Sequence, residues 1–172
     1  DPLFEGQELA LPLSEEGAEA SQMLIEREAA ILTLYAEDYG KNDRWLKAWK
    51  RYYKLIYRDN YRRLEPLARS FRVVIRRLSI PRNEVPAKLL SWFQDFTYRR
   101  DNTLSDLLSP VSCLIDQAGD CDSLALSYII LLHHLGYDAI LLISDVHKHS
   151  LAAVDIEGRG ARFNVEGKRY LI

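Results

Sequence analysis

The segment "GDCDSLALSYIILLHHLGYDA", residues 119–139, decides how this chain folds. From Leu124 to Leu132 almost every side chain is apolar, so a helix here has no face suited to solvent. We therefore predict a central helix that other elements surround. Its polar start, "GDCDS", must then be enclosed as well, and a polar group that is buried needs either a capping role or a chemical one.

Asp120 and Cys121 illustrate these two roles. The first turn of a helix leaves backbone N–H groups unsatisfied and carries partial positive charge, so Asp120 is a good N-cap. The same field stabilises a thiolate at Cys121. The charges of Asp120 and Asp122 act in the opposite direction, because nearby negative charge disfavours a second anion. Position alone therefore leaves the role of Cys121 open.

Four helices are predicted upstream of this segment from helical spacing of apolar residues and from Gly and Pro at the expected ends. They span Ala18–Tyr39, ending at Gly40; a start near Asn42 or Asp43 to about Leu64, before Pro66; Leu67–Leu78, closed by Pro81; and residues 87–98, with Pro86 in the first turn.

Downstream, the pattern changes to short segments rich in Ile, Leu, Val and aromatic residues. Residues 137–144, 149–156 and 161–172 are predicted to be antiparallel strands, with "EGRGA" and "EGK" as turns. Helices come first and strands last, which predicts an α+β domain with the Cys121 helix packed on a small antiparallel sheet.

Length and composition are those of one globular domain. At 172 residues and 48% hydrophobic content, the chain can bury about 70% of its unfolded surface. It contains neither an apolar stretch of the ~18 residues that a membrane span needs nor a signal segment. Two cysteines cannot form a disulfide framework. Because the chain starts at Asp1 rather than Met, we expect a processed or truncated product, compatible with export to a periplasm or surface, and localisation stays open.

Charge is segregated along the N-terminal region. Residues 1–38 hold ten Asp and Glu against the single basic residue Arg27, whereas residues 44–77 hold twelve Lys and Arg against two acidic residues. A basic helix interleaved with Trp and Tyr is one way to bind nucleic acid or another anionic surface. The overall pI of about 6.1 favours instead a solvated basic face balanced by the acidic helix, and we do not expect nucleic acid as a partner.

A thiolate nucleophile needs an imidazole within hydrogen-bond reach. His133 and His134 lie a dozen residues from Cys121, about 18 Å along a helix, and an interaction with the helix C-terminus explains them. His147 and His149 are better placed, because His149 opens a strand that can pack against the helix start. A metal site of Cys121, Asp145, His147 and His149 is the alternative, although we expect neither a metal nor a cofactor.

These residues carry a family resemblance. "GDCDSLALSYIILLHHLGYDA", followed 28 residues after its cysteine by "HSLAAVD", resembles the transglutaminase-like superfamily of papain-like cysteine enzymes in its bacterial and archaeal branch. Upstream, "LLSWFQDFTYRRD" (89–101) is similar to a helix of that family, and "SPVSCLIDQAGDC" (109–121) to its proline-containing approach. The resemblance covers about residues 84–172, so we divide the chain into an N-terminal helical region, 1–80, and a transglutaminase-like core, 81–172.

The resemblance implies a fold and a set of roles. It implies a papain-like core in which Cys121 is the nucleophile and His149 the base, acting on a peptide or amide bond through a thioester. A peptide or protein is the implied substrate. Gln94, 27 residues before Cys121, is the candidate side-chain donor to the oxyanion, and its alternative is an ordinary polar residue on an exposed helix face.

The sequence departs from the family pattern at the third catalytic residue. The acidic residue that orients the imidazole is expected one or two positions after Ile172, so we expect a core cut short before it, with Glu166 a poor substitute. The family often has an acidic residue at Ser123 and an aromatic residue where this chain has Ser150 and Leu151. A non-catalytic relative that only binds is therefore an alternative, beside the basic-helix anion binder. Hydrolysis or transfer, the substrate and the oligomeric state stay open.

Overall fold

The computed structural model describes residues 12–39, 43–100, 105–144 and 146–172, and within them it contains five helices and six strands. The predicted α+β class is confirmed. The helices are α1 (Glu15–Tyr39), α2 (Asp43–Arg77), α3 (Val85–Gln94), α4 (Pro110–Asp116) and α5 (Cys121–His134). The strands are β1 (Thr97–Tyr98), β2 (Ala118–Gly119), β3 (Ala139–Ser144), β4 (His149–Val154), β5 (Arg162–Val165) and β6 (Lys168–Leu171).

Helix α5 is the central element, as predicted. Every residue from Ala125 to Leu132 is buried, and the helix contacts α2, α3, α4, β3 and β4. Asp120 is its N-cap: Asp120 Oδ1 accepts hydrogen bonds from Ser123 N at 2.9 Å and from Ser123 Oγ at 2.7 Å. A fully apolar helix and a buried cap therefore place the polar start of α5 inside the protein.

Helix α2 is one continuous helix, so the predicted break between Leu64 and Leu67 is wrong. Pro66 lies inside it and costs about 3 kcal/mol at an interior position. Leu64, Leu67 and Phe71 occupy one face at i, i+3 and i+7, and each is at most 1% exposed. Burying each of these side chains gains about 1.5–3 kcal/mol, so their combined burial outweighs the proline penalty.

Helices α1 and α2 pack against each other and against α4. The amide of buried Asn60 joins all three, because its Oδ1 accepts from Ser21 Oγ at 3.1 Å and from Val111 N at 3.3 Å. Arg51 of the basic α2 pairs with buried Glu28 of the acidic α1 at 2.6 Å. One buried apolar cluster includes residues from both sides of position 80.

The predicted positions Gly40 and Asn42 lie outside the described residues.

The segment between α3 and α5 contains elements that the sequence did not suggest. Helix α3 ends at Gln94 rather than at Tyr98, and β1 then pairs in parallel with β2. Helix α4 begins with Ser109 as N-cap. Within β2, a Cβ at Gly119 would lie 2.9 Å from Ser123 Cβ, so glycine allows β2 to approach the start of α5 closely. The β1–β2 pair therefore fixes the end of α3 beside the start of α5.

The four-stranded sheet has the order β3-β4-β6-β5, all antiparallel. In the β3–β4 hairpin, Ala139 pairs with Val154 and Ser144 with His149. Residues 161–172 form the β5–β6 hairpin around the predicted "EGK" turn, and β6 joins β4 where Leu171 pairs with Val154. In the part of the chain that the structure describes, none of the helices is sufficiently long and apolar to traverse a bilayer.

Candidate active site

A cleft of about 480 Å³ lies between α3, the first turns of α5 and strand β4. Gln94, Cys121 and His149 all line it. Each of these side chains comes from the end of an element: Gln94 is the last residue of α3, Cys121 the first of α5 and His149 the first of β4. The fold thus brings the three predicted site residues to one cleft.

Cys121 lies in a polar environment at the mouth of a buried helix. Its side chain is 8% exposed, and its Sγ lies within 4.8 Å of a carboxylate oxygen of both Asp120 and Asp122. The backbone N–H groups of Cys121 and Asp122 belong to the first turn, where a helix leaves them without an intrahelical acceptor. They are therefore suited to bind an oxyanion formed next to the sulfur.

Cys113 differs from Cys121 in every respect that matters for reactivity. It is fully buried in α4, and burial is the main reason that the pKa of its thiol rises to about 12. A thiol of this kind is a structural, unreactive group.

Asp120 combines a structural role with an electrostatic one. Burial raises the pKa of its carboxyl, although the hydrogen bonds from Ser123 oppose that shift. Ser123 Oγ in turn accepts from Leu108 N at 3.0 Å, so the cap also holds the segment that precedes α4. The charge of Asp120 disfavours a thiolate on the adjacent cysteine, while the helix field favours one.

His149 lies at the open end of the cleft. Its side chain is exposed, and the next residue, Ser150, is buried, as expected from the alternation along a strand. Among the described residues, no hydrogen bond joins His149 to Cys121. Both side chains line the same cleft, and catalytic hydrogen bonds are often loose in unliganded sites.

Asp122 connects α5 with β4 through a contact that the sequence did not reveal. Asp122 Oδ1 accepts a hydrogen bond from Ser150 Oγ. Tyr53 of α2 lies nearby: burial, and after it the charge of Asp122, raise the pKa of the Tyr53 hydroxyl strongly. Asp122 is next to Cys121 and Ser150 is next to His149, so this contact positions the two site residues relative to each other.

Arg100 is a second residue that the sequence did not single out. The hydrogen bond from Arg99 N to Gly119 O, at 2.9 Å, fixes this segment beside β2. Nearby acidic groups, Tyr98 first and then Cys121 and Asp120, raise the pKa of the Arg100 guanidinium in their ionised forms. The available signal was the pair of arginines in "YRRD", a short distance after Gln94. Arg100 is thus a cation that partly balances the acidic groups around Cys121.

The side chain of Gln94 is exposed at the cleft and, within the described part of the chain, makes no hydrogen bond. Its amide is free to donate to a bound group. This position fits both predicted roles, an oxyanion donor and an ordinary polar residue at a helix end.

His133 and His134 make hydrogen bonds to neighbouring elements rather than to the carbonyls at the C-terminal end of α5. His133 Nε2 donates to Ala139 O at 2.8 Å and its Nδ1 accepts from Tyr57 OH at 2.8 Å. His134 Nε2 donates to Tyr61 O at 2.7 Å, and the two rings stack at 3.8 Å. Both histidines lie at the far end of α5 from Cys121 and serve packing.

Glu166 lies far from His149. It occupies the β5–β6 turn with φ of 49°, and β6 pairs with β4 only at Val154 and Leu171. Because the strands are antiparallel, Glu166 lies beyond the opposite end of β4, about 30 Å from His149 at ordinary strand rise. It cannot orient that imidazole.

Over the described residues, one group of metal-ligand side chains is found, formed by Asp120, Cys121 and Asp122. Asp120 already caps α5, and Asp122 already accepts from Ser150. The alternative metal site included Asp145, which lies outside the described residues, and His147 is exposed in the β3–β4 turn.

Comparisons of the chain with protein-family profiles, with curated proteins and with solved structures gave no match.

Proposed function

We propose that this protein is a transglutaminase-like cysteine hydrolase or acyltransferase, which acts on a peptide or amide bond through a thioester at Cys121. The observation that carries the proposal is the meeting of Cys121, His149 and Gln94 in one cleft, from the ends of three separate elements. A central cysteine-bearing helix against an antiparallel sheet is also the arrangement expected of a papain-like core.

The chemistry follows from the position of each group. The Cys121 thiolate adds to the carbonyl carbon, and the oxyanion is held by the first-turn N–H groups of α5 and by the Gln94 amide. Protonated His149 gives its proton to the leaving nitrogen as the C–N bond breaks, which leaves a thioester on Cys121. Water or an amine then attacks the thioester, His149 takes its proton, and the thiolate is released.

These steps need a hydrogen bond between the His149 imidazole and the Cys121 sulfur, which we expect to form when the exposed imidazole turns toward the sulfur. His149 is the first residue of β4 and follows the β3–β4 turn, whereas Ser150 is anchored to Asp122. Rotation of the imidazole can therefore occur without displacing the strand. Substrate in the cleft would favour this closure by excluding water from the dyad.

The test is acylation of Cys121 by a small thioester, followed by mass spectrometry of the intact protein and of its Cys121 peptide. We expect an adduct on Cys121, a much slower adduct in His149→Ala, and none in Cys121→Ala. His147→Ala is the matched control, because His147 is an exposed histidine of the same turn. Its rate should equal that of the wild type.

A non-catalytic binding module is the second candidate, and the missing hydrogen bond between Cys121 and His149 is the observation that favours it. In that case Cys121 reacts with iodoacetamide, but His149→Ala leaves thioester acylation unchanged. The proposed enzyme requires the opposite result, so one pair of variants separates the two functions.

A further inference from the structure

The cleft extends from a polar end to an apolar end. Pairing of β1 with β2 sets the end of α3 beside the start of α5, and the hydrogen bond from Tyr128 OH to Pro86 O, 2.9 Å, joins the middle of α5 to the start of α3. The Ser150–Asp122 contact places the start of β4 at the same polar end. From Cys121 to Tyr128 the cleft follows α5 for about 10 Å.

Beyond the polar end, the cleft is lined mainly by apolar side chains. These side chains include Leu90, Phe93, Leu124, Leu151, Ile156 and Leu171. Two of the hydroxyls that line the cleft are already used, since Tyr128 donates to Pro86 O and Ser150 to Asp122. Among the described residues that line the cleft, none is an Asp, Glu, Lys or Arg.

This lining discriminates between acyl groups. A polar or charged side chain that enters the apolar part of the cleft loses water and finds no charged partner there. A large apolar side chain gains from the burial of its surface. The cleft therefore discriminates between substrates by their acyl part, which remains attached to the sulfur in the thioester.

We propose that the cleft selects acyl donors with a large aliphatic or aromatic side chain next to the carbonyl that Cys121 attacks, and that it rejects glutamine and acidic side chains. This inference rests on the proposed function, because the thioester at Cys121 defines which side of the substrate enters the cleft.

The experiment uses the benzyl thioesters of N-acetyl-leucine, N-acetyl-phenylalanine, N-acetyl-glutamine and N-acetyl-glutamate. In each, the Cys121 sulfur bonds to the carbonyl carbon, the bond to benzyl mercaptan breaks, and the mercaptan leaves with a proton. We expect the leucine and phenylalanine compounds to acylate Cys121 at least about tenfold faster than the glutamine and glutamate compounds. Iodoacetamide alkylation of Cys121 serves as the measure of an intact, reactive thiol.

Leu90→Glu tests the wall itself. Leu90 is 43% exposed, so the substitution leaves the core intact, and we expect it to remove most of the preference for leucine while alkylation by iodoacetamide is unchanged. Leu78→Glu is the matched control, because Leu78 is 46% exposed and lies outside the cleft. Its preference should remain that of the wild type.

Two failures can be told apart. Equal rates for all four thioesters, or faster acylation by the glutamine compound, would overturn the apolar selectivity and leave the enzyme intact. Alkylation of Cys121 by iodoacetamide with no acylation by any thioester would overturn the proposed function and this inference with it.

Discussion

Removal of the Asp120 charge should make Cys121 a better nucleophile. Asp120→Asn keeps a side-chain oxygen that can cap α5 through Ser123 N, because Asn and Asp are equally good N-caps. It deletes a negative charge beside the sulfur. We therefore expect iodoacetamide to alkylate Cys121 faster at neutral pH, with the fold unchanged.

The size of the increase follows from the separation of the two groups. A carboxylate oxygen of Asp120 lies within 4.8 Å of Cys121 Sγ. At that distance two unit charges repel by about 0.9 kcal/mol in water and by about 3.5 kcal/mol at an effective dielectric constant of about 20. Loss of that repulsion should therefore speed alkylation of Cys121 at neutral pH by between about 4-fold and about 300-fold.

The stability of the same variant provides an independent check. Because burial raises the pKa of Asp120, its ionised form destabilises the folded state, and that cost grows as the pH rises through the folded pKa. Asp120→Asn should therefore be at least as stable as the wild type at neutral pH. Asp120→Ala also loses the cap and should be less stable by about 1 kcal/mol in chemical denaturation.

The assay is the rate of iodoacetamide alkylation of the Cys121 peptide, measured across the neutral and alkaline range. Cys113 in the same digest is the internal control, since its buried thiol should stay unlabelled while the protein is folded. An alkylation rate that is unchanged in Asp120→Asn, in a protein with wild-type circular dichroism, would refute the electrostatic reasoning. So would an increase in rate that occurs only in Asp120→Ala, because both variants remove the charge.

Three further predictions concern other parts of the site and fold. Ser150→Ala removes a donor to Asp122 and should cost about 1–3 kcal/mol in the free energy of unfolding; thioester acylation should fall more than iodoacetamide alkylation, whereas equal falls would make the contact purely structural. Burial lowers the pKa of His134, so the unfolded chain binds the proton first as the pH falls below about 6.5. Wild-type stability should be complete above that pH and decline on acidification, and urea titrations of His134→Asn should show a flatter decline. Glu166→Gln should leave thioester turnover unchanged, and a loss as large as that of His149→Ala would show that Glu166 orients the imidazole after all.

The N-terminal helices contribute to the candidate site in a way that the sequence did not reveal. Tyr53 belongs to α2, yet it lies close enough to Asp122, beside Cys121, for the Asp122 charge to help raise its pKa. The basic character of α2 is partly neutralised within the chain, since Arg51 pairs with Glu28 and Arg63 with Asp59. Residues 1–80 therefore include part of the support for the cysteine helix.

The sequence alone was sufficient to predict those elements whose local residue pattern agrees with their burial in the structure. The apolar run of α5 and the Asp120 cap predicted a central helix because no arrangement leaves such a helix exposed. The "EGK" turn predicted the β5–β6 hairpin, because Glu166 and Gly167 both adopt positive φ there, as tight hairpin turns require. In these places the preference of a few neighbouring residues was sufficient.

Tertiary structure decided the features that depend on residues distant in the chain. Pro66 predicted a helix end, but burial of Leu64 and Phe71 against the core outweighs its local cost, and no local signal measures that gain. The Ser150–Asp122 contact joins residues 28 positions apart, and the strand alternation that buries Ser150 also leaves His149 exposed. The sequence alone thus predicted Cys121 and His149 as site residues. Their relative position, and the Asp122 carboxylate that links α5 to β4, depend on how these two elements pack.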